Sequence, residues 1–331
     1  MANFNFKKSA KVYLYNKTTA TYHRLDVTEE ISFSQTFTDK TYPQKTLHHQ
    51  YKLHEASNIK KANPANFEFT IPALTEDTLA VVFNYLVDFK STSEYTLDTF
   101  TLYIVGSDTN VYKLQNCVIT NGTFLIEKLE NLKLTIAGEA TQLVYHKGSD
   151  ATVPRAILEA AISDSEYASR ARTAQKVDYL EVKTPSGTNI GDGVFKVSVE
   201  LQNEIKWNPY ETVNKALDVT NAATSMYPSS FTLQKRILSG SIGAYVIGTS
   251  DSAYIGHTNV GEWKTAQTLV IKAGVSDVLG FQFNLLNCTY TNRLNIDDVF
   301  TQQYDWKMND NPTDLGDGSN TARSYITFNN I

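Results

Sequence analysis

In this 331-residue chain, the residues with the chemistry to cut bonds or hold ions are six histidines, two cysteines and a few acidic pairs. His48, His49 and His54, followed by Glu55, form one cluster with metal-ligand content. A helical zinc pair needs spacing i, i+4 and a strand face needs i, i+2; His49 and His54 stand five apart and fit neither. The cluster reads as an exposed polar loop. Asp310, Asp314 and Asp317 have the charge of a calcium loop without its ligand spacing or central glycine. Asp297-Asp298 reads as a turn pair between strands, and Cys117 and Cys288 lie far apart in apolar, strand-like surroundings that suit buried free thiols. No nucleophile elbow, dinucleotide loop or phosphate-binding loop occurs. The reading is a protein that is not an enzyme and has no metal and no cofactor.

The elements that would hold any site are strands. Charged residues make up only 20% of the chain, whereas Thr (38), Tyr (19) and Phe (16) are abundant. β-Branched and aromatic side chains suit a half-buried pleated surface, so the composition predicts an all-β fold. A net charge of −5 argues against a protein that grips nucleic-acid phosphates, which takes clustered Lys and Arg. The longest aliphatic and aromatic run, Leu79 to Phe83, is far short of the ~20 residues of a membrane helix. The N-terminal residues have no signal-peptide core. The expectation is a soluble protein made in the cytoplasm, with no membrane partner.

The chain also repeats itself. Lys11-Val12-Tyr13-Leu14 recurs loosely as Lys176-Val177-Asp178-Tyr179-Leu180, and the alternation of Ile31-Ser32-Phe33-Ser34-Gln35 recurs in Val197-Ser198-Val199-Glu200-Leu201. Lys40-Thr41-Tyr42-Pro43 lines up with Lys206-Trp207-Asn208-Pro209, Pro64-x-x-Phe67-x-Phe69 with Pro228-x-x-Phe231-x-Leu233, and Phe100-Thr101-Leu102 with Gln267-Thr268-Leu269. Leu114-Gln115-Asn116-Cys117 matches Leu285-Leu286-Asn287-Cys288 most clearly. These pairs keep their order, which predicts tandem copies of one sandwich or small barrel. The expected division is a first β-domain at 1–147, a helical connector at 148–174, a second β-domain at 175–309 and a C-terminal arm at 310–331 that orders on a partner.

Strands are expected at 11–16, 30–37, 66–72, 99–105, 110–120 and 124–136, with counterparts at 177–182, 194–202, 230–238, 267–272, 280–291 and 293–307. Asn121-Gly122 reads as a hairpin turn. Thr75, Glu76 and Asp77 open a helix over 76–87, whose counterpart region carries Gly240, Gly243 and Gly248. A second helix is expected within 152–172, with Pro154 in its first turn and apolar spacing through Val153, Ile157, Ala160 and Ala161.

Each copy carries a long polar excursion, 38–64 and 203–228. Long irregular loops are usually functional, and aromatics and Met suit interface cores. Tyr42, Pro43, Leu47 and Tyr51 in the first, and Trp207, Pro209, Met226 and Tyr227 in the second, are therefore candidate contacts to other subunits.

A duplicated β-domain with a long loop after its second strand resembles the tail tube proteins of long-tailed bacteriophages, in the form where one chain carries two fused tube domains. The Pro64-to-Ile71 strand, the helix 76–87 and the closing segment Tyr112–Gly138 carry the resemblance. It implies a structural virion protein: homotrimeric, pseudo-hexameric rings that stack into a hollow tail tube and conduct the genome into the host. The implied partners are further copies of the chain and other tail proteins (terminator, baseplate, tape measure), with DNA passing unbound. The implied location is the virion tail, assembled in the host cytoplasm. On that basis the polar faces Ser32, Ser34, Thr36 and Ser198, Glu200, Gln202 line the lumen or the ring seam. A baseplate hub or distal tail ring on the same doubled domain is the nearer alternative. A carbohydrate-binding tandem sandwich using Trp207, Trp263 and Trp306 is the other.

Overall fold

The computed structural model describes residues 10–28, 31–41, 47–48, 58–72, 76–87, 97–106, 110–127, 130, 132–147, 158, 161–169, 177–183, 193–208, 227–228, 230–245, 266–273, 279–286, 288–296, 299–308 and 326–328. The fold is all-β, with two short helices among the elements of the described residues. In chain order the first elements are β1 (Lys11–Asn16), β2 (Thr21–Leu25), β3 (Ser32–Ser34), β4 (Phe37–Thr41), β5 (Asn58–Ala62), β6 (Ala65–Pro72), α1 (Glu76–Val87), β7 (Phe100–Val105), β8 (Val111–Glu127), β9 (Lys133–Ala140) and β10 (Gln142–His146). Then come α2 (Asp164–Ser169), β11 (Val177–Lys183), β12 (Val194–Trp207), β13 (Phe231–Tyr245), β14 (Ala266–Ala273), β15 (Leu279–Leu286), β16 (Cys288–Ile296), β17 (Phe300–Met308) and β18 (Ile326–Phe328).

One strand organises the rest. The first half of β8 pairs with β7 and β10, extending a sheet ordered β2-β1-β7-β8-β10. Its second half pairs with β9 on one side and β12 on the other. This gives a continuous antiparallel path of eight strands, β3-β6-β9-β8-β12-β13-β17-β16. Where β8 passes from one sheet to the other, Asn116 sits at φ 51°, a left-handed conformation that Asn tolerates better than most residues.

The pairing orders recur along the chain. β3-β6-β9-β8 is followed by β12-β13-β17-β16, and β1-β7-β8-β10 by β11-β14-β15-β18. In the first of these series even the register recurs. Ser32, Phe33 and Ser34 face Glu68, Phe67 and Asn66, as Ser198, Val199 and Glu200 face Ser241, Gly240 and Ser239. Carried two strands further, Phe67–Gly138–Ile119 occupies the positions of Gly240–Trp306–Tyr290. Ile119 and Tyr290 are also partners in the match of Leu114–Asn121 to Leu285–Asn292, but past the bulge in β8 the ladder sets Asn121 at the place of Thr291. In the second series the order recurs, but the register slips.

The central pair of this ladder is complementary in volume. In the first half a Cβ on Gly138 would lie 2.3 Å from the Phe67 ring; in the second a Cβ on Gly240 would lie 2.7 Å from the Trp306 ring. The large residue has changed strand, and a glycine stands opposite it each time, which keeps the packed volume.

Several sequence expectations need correction. Asn121-Gly122 is not a turn: β8 runs straight through it, because Gly122 leaves the space into which Leu86 of α1 packs. The strands expected at 110–120 and 124–136 are instead β8 and β9. The strand expected at 230–238 continues to Tyr245, so Gly240 and Gly243 are strand residues accommodating Trp306 and Phe195. By ladder position Phe67 corresponds to Gly240, so the match of Pro64–Phe69 with Pro228–Leu233 does not hold. The first excursion is anchored by a hairpin, β4 with β5, and the second by the extended ends of β12 and β13. The C-terminal arm does not wait for a partner throughout: Ile326–Phe328 pairs with β15 of its own chain, using an alternating Tyr-Ile-Thr-Phe segment.

Helix α1 forms where expected, and Val82, Phe83 and Leu86 are buried; its proposed cap, Thr75, lies outside the described residues. In the connector, Leu158 and Ile162 are buried against Tyr13, Tyr103, Val105 and Val111, so this segment docks on the first half. The main core runs through both halves, and Phe124 meets Phe283 with ring centroids 5.7 Å apart.

This packing is testable at two places. Gly122→Ala places a methyl 2.3 Å from Leu86 Cδ2 and lowers stability by about 1–3 kcal/mol through overpacking. In a Leu86→Ala background the same change costs markedly less, as read from urea midpoints; equal costs in both backgrounds would refute the contact. Second, burial foremost, with Asp98 adding, pushes the Tyr85 hydroxyl up to about 12, and burial with Tyr22 and Tyr15 does the same to Tyr103. The fold favours their neutral forms, so this stability is fully present below the ordinary tyrosine value of about 10. It is lost as pH rises through about 12. The urea midpoint should fall across that window, and a midpoint that holds constant there would contradict the assignment.

Candidate assembly interface

Along the eight-stranded path, alternation sends apolar residues to the core and polar residues to the other face. Ser32, Ser34, Ser198, Glu200 and Gln202 all belong to that polar face, with Thr36 just past the end of β3; Ser32, Ser34, Thr36 and Gln202 are exposed. Ladder positions put Glu68, Glu127, Glu139, Glu200 and Asp305 on this face, interleaved with Lys133, Lys196, Arg293 and Lys307. Four of these charges meet in two pairs across neighbouring strands: Lys196 Nζ lies 2.5 Å from Glu127 Oε1, and Arg293 Nη2 lies 3.3 Å from Asp305 Oδ2. The wall is mixed in charge, more balanced than the net charge of the chain suggests.

The junction of the two halves is the β8–β12 ladder, from Lys196 opposite Glu127 to Gln202 opposite Asn121. On its polar side Asn121 Nδ2 donates to Glu200 Oε1 at 2.9 Å, and the Ser198 and Ser241 hydroxyls are 2.9 Å apart. On its core side Val197, Val199 and Leu201 continue into Asn203, and along β13 Arg236 is followed by Leu238 and Ile242. Both polar residues are 1% exposed. Arg236 Nε donates to Asn203 Oδ1 at 2.7 Å and Arg236 Nη2 to the Leu86 carbonyl at 3.2 Å. Asn203 Nδ2 donates to the carbonyls of Leu86 and Ile119 at 3.2 and 3.0 Å. Leu86 is in the last turn of α1, which carries no basic residue of its own. Its terminal carbonyl oxygens need donors and bear the negative end of the helix dipole. The second half supplies both a donor and a positive charge.

The excursion candidates are placed less completely. Tyr42, Pro43, Tyr51, Pro209 and Met226 lie outside the described residues. Leu47 is 98% exposed, and Phe37, at the base of the first arm, is 51% exposed. The Phe37 and Tyr227 rings are 6.4 Å apart, so the bases of the two excursions touch. Trp207 is engaged within the chain: its indole N–H donates to Glu139 of β9, and its ring lies against Phe231.

Among the described residues no three His, Cys, Asp or Glu side chains gather as a metal site. His48 is exposed, and His49, His54, Asp310, Asp314 and Asp317 lie outside the described residues. The Cys117 thiol is buried, donates to the Leu114 carbonyl, and is pushed well above its ordinary pKa by desolvation, the opposite of an activated nucleophile. Trp306 is buried in the core and offers no sugar-stacking face. Sequence reasoning passed over Asn203 and Arg236. Their signal was parity: each falls on the apolar phase of its strand.

The sequence matches the bacteriophage baseplate tube protein family over residues 2–316. The chain belongs to that family, and is a structural protein of the phage tail. No curated protein matches it. Among solved structures, a chain from the virion of a native gene transfer agent particle is similar at 9% identity, covering 41% of this chain and 95% of that one, with a TM-score of 0.28. A likeness of that degree carries no argument about this chain.

Removing the guanidinium tests the junction. Arg236→Leu leaves the buried Asn203 amide oxygen without its guanidinium donor, at about 1–3 kcal/mol, while the Leu86 carbonyl keeps only the Asn203 amide. Arg236→Lys should recover only part, because one ammonium cannot reproduce the planar fork. Wild-type urea midpoints in both variants would refute this role.

Proposed function

We propose that the chain consists of two tandem copies of one tube domain and that three chains close into a pseudo-sixfold ring of the phage tail tube. The carrying observation is the eight-stranded path β3-β6-β9-β8-β12-β13-β17-β16. It takes four strands from each half, and repeats their order and register. Recurrence of the second sheet as β11-β14-β15-β18 supports the duplication, and extends the second copy beyond 309 to include β18. In this reading the connector and arm are parts of the tandem unit.

The ring's inner wall is the polar face bearing Ser32, Ser34, Thr36, Ser198, Glu200 and Gln202. Interleaved charges let DNA pass without the counterion release that drives adhesion to a basic surface. The excursions, with Leu47 at the exposed tip of the first, face adjoining rings. Because the family is that of baseplate tube proteins, we place the ring at the baseplate end of the tube, where it stacks against a neighbouring ring of the tail. Other tail proteins are its partners there, and it has no catalytic role.

Mass photometry and negative-stain electron microscopy of the purified protein over a concentration series test this. Trimeric rings with a central hole are expected, stacking on each other at high concentration or on an added tail component. Rings of another copy number would remove the trimer. Monomers at every concentration, with no ring on any tail component, would remove the reading.

A further inference from the structure

The two halves part company at one residue. By the shared register of β3–β6 and β12–β13, Gln35 stands where the second half has Leu201. Leu201 is buried in the core, and β12 runs on past it, paired with β13 as far as Trp207 opposite Phe231. In the first half the ladder with β6 stops at Ser34 opposite Asn66. The chain then leaves, and β4 and β5 form a two-stranded sheet of their own. The strand is continuous with leucine at this position and broken with glutamine.

The Gln35 amide accounts for the break. Its Nε2 donates to the carbonyls of Asn63 at 2.9 Å and Thr141 at 3.3 Å, and its Oε1 accepts from the Leu143 N–H at 2.9 Å. Asn63 lies between β5 and β6, and Thr141 between β9 and β10, where the chain crosses from one sheet to the other. One side chain thus joins the foot of the β4–β5 arm to that elbow. Thr141 is itself fixed, its N–H and hydroxyl both donating to the Gln115 carbonyl of β8 at 2.9 Å. Asn63 closes the foot from the other side. Its N–H donates to the Thr36 carbonyl at 2.9 Å, and its Nδ2 to the Thr36 and Thr38 hydroxyls at 2.9 and 3.3 Å. Leucine at position 35 could make none of the amide's bonds. We infer that Gln35 is the positioning residue of the first excursion: it turns the chain out of the sheet after Ser34 and sets the direction of the arm before any contact is made. This rests on the reading above that the excursions face adjoining rings, and it specifies that the first arm reaches its neighbour preset. An element already held in its bound conformation avoids the entropy cost of ordering on contact. The second excursion, carried on the paired ends of β12 and β13, needs no such device.

Gln35→Leu installs the residue of the second half and tests this on the full chain, by hydrogen exchange and by electron microscopy over a concentration series. The Leu143 amide and the amides of β4 and β5 should exchange about tenfold faster, roughly the worth of one hydrogen bond. Those of β12 and β13 should keep their protection. Rings should form at the wild-type concentration, whereas stacking should need about tenfold more protein, the same increment carried into the contact. Gln35→Met, unbranched and close to glutamine in length, repeats the test in case leucine is not accommodated. Unchanged exchange of the arm in both variants would overturn the positioning role. Lost protection of β12 and β13 in both would overturn it too, since Gln35 would then hold the whole fold. A loosened arm that stacks at the wild-type concentration, or one that costs the rings as well as the stacks, would equally refute it. If the wild-type protein forms no rings, the ring reading fails, and exchange in the arm still decides whether Gln35 sets it.

Discussion

A helix that ends inside a protein leaves carbonyl oxygens without partners, and the end of α1 is answered from the other half of the chain. Arg236 and Asn203 reach Leu86 from β13 and β12, while Asn203 also holds the Ile119 carbonyl on β8. The donors exist only if β12 has added to β8 in one register, since a slip of one residue would turn Asn203 outward. An arginine in such a place is costly to desolvate, and an apolar pair of similar volume could be no less stable. The cluster discriminates: of the ways two sheet edges could pair, it satisfies one. Gly122 adds a steric condition at the same place, because α1 can seat Leu86 there only over a residue without a side chain.

With that register set, the rest of the sheet follows from alternation. Gly122 and Phe124 of β8 each have core-facing neighbours on both sides, Ile136 and Leu134 on β9 and Leu201 and Val199 on β12, so one apolar layer runs from Phe67 through Phe124 and Val199 to Trp306. The opposite face accumulates serine, threonine and paired charges across strands drawn from both halves. The exchange of Phe67–Gly138 for Gly240–Trp306 fits this constraint: the layer must keep its thickness, whichever strand supplies the ring.

Much of this was legible in the sequence, for a definable reason. Period-two alternation in Ile31–Gln35 and Val197–Leu201 marks strands and their faces, and the helix over 76–87 announces itself by its acidic start and apolar stripe. Local signals misled where a distant residue set the local structure. Asn121-Gly122 has turn composition, but its glycine answers Leu86, thirty-six positions away. Gly240 looked like a breaker, but it answers Trp306 across the ladder. The run ending at Phe328 is too short to weigh alone and becomes a strand because β15 offers an edge. Arg236 and Asn203 were overlooked because polar residues in polar-looking strands attract no notice until their phase is counted.

The two halves of the eight-stranded path differ at one further place. At the position that matches Asn203 the first half carries Phe37, which faces Ala62 in the β4–β5 hairpin. The β8–β12 junction is thus locked by a buried polar cluster, whereas the first half has an exposed aromatic ring, Phe37, at that position. Losing the cluster's hydrogen bonds costs nothing while that surface is in water, and an apolar contact gains when it is covered. Pairing within one chain can carry groups that would be unsatisfied if its strands were parted, and the Asn203–Arg236 cluster is such a group.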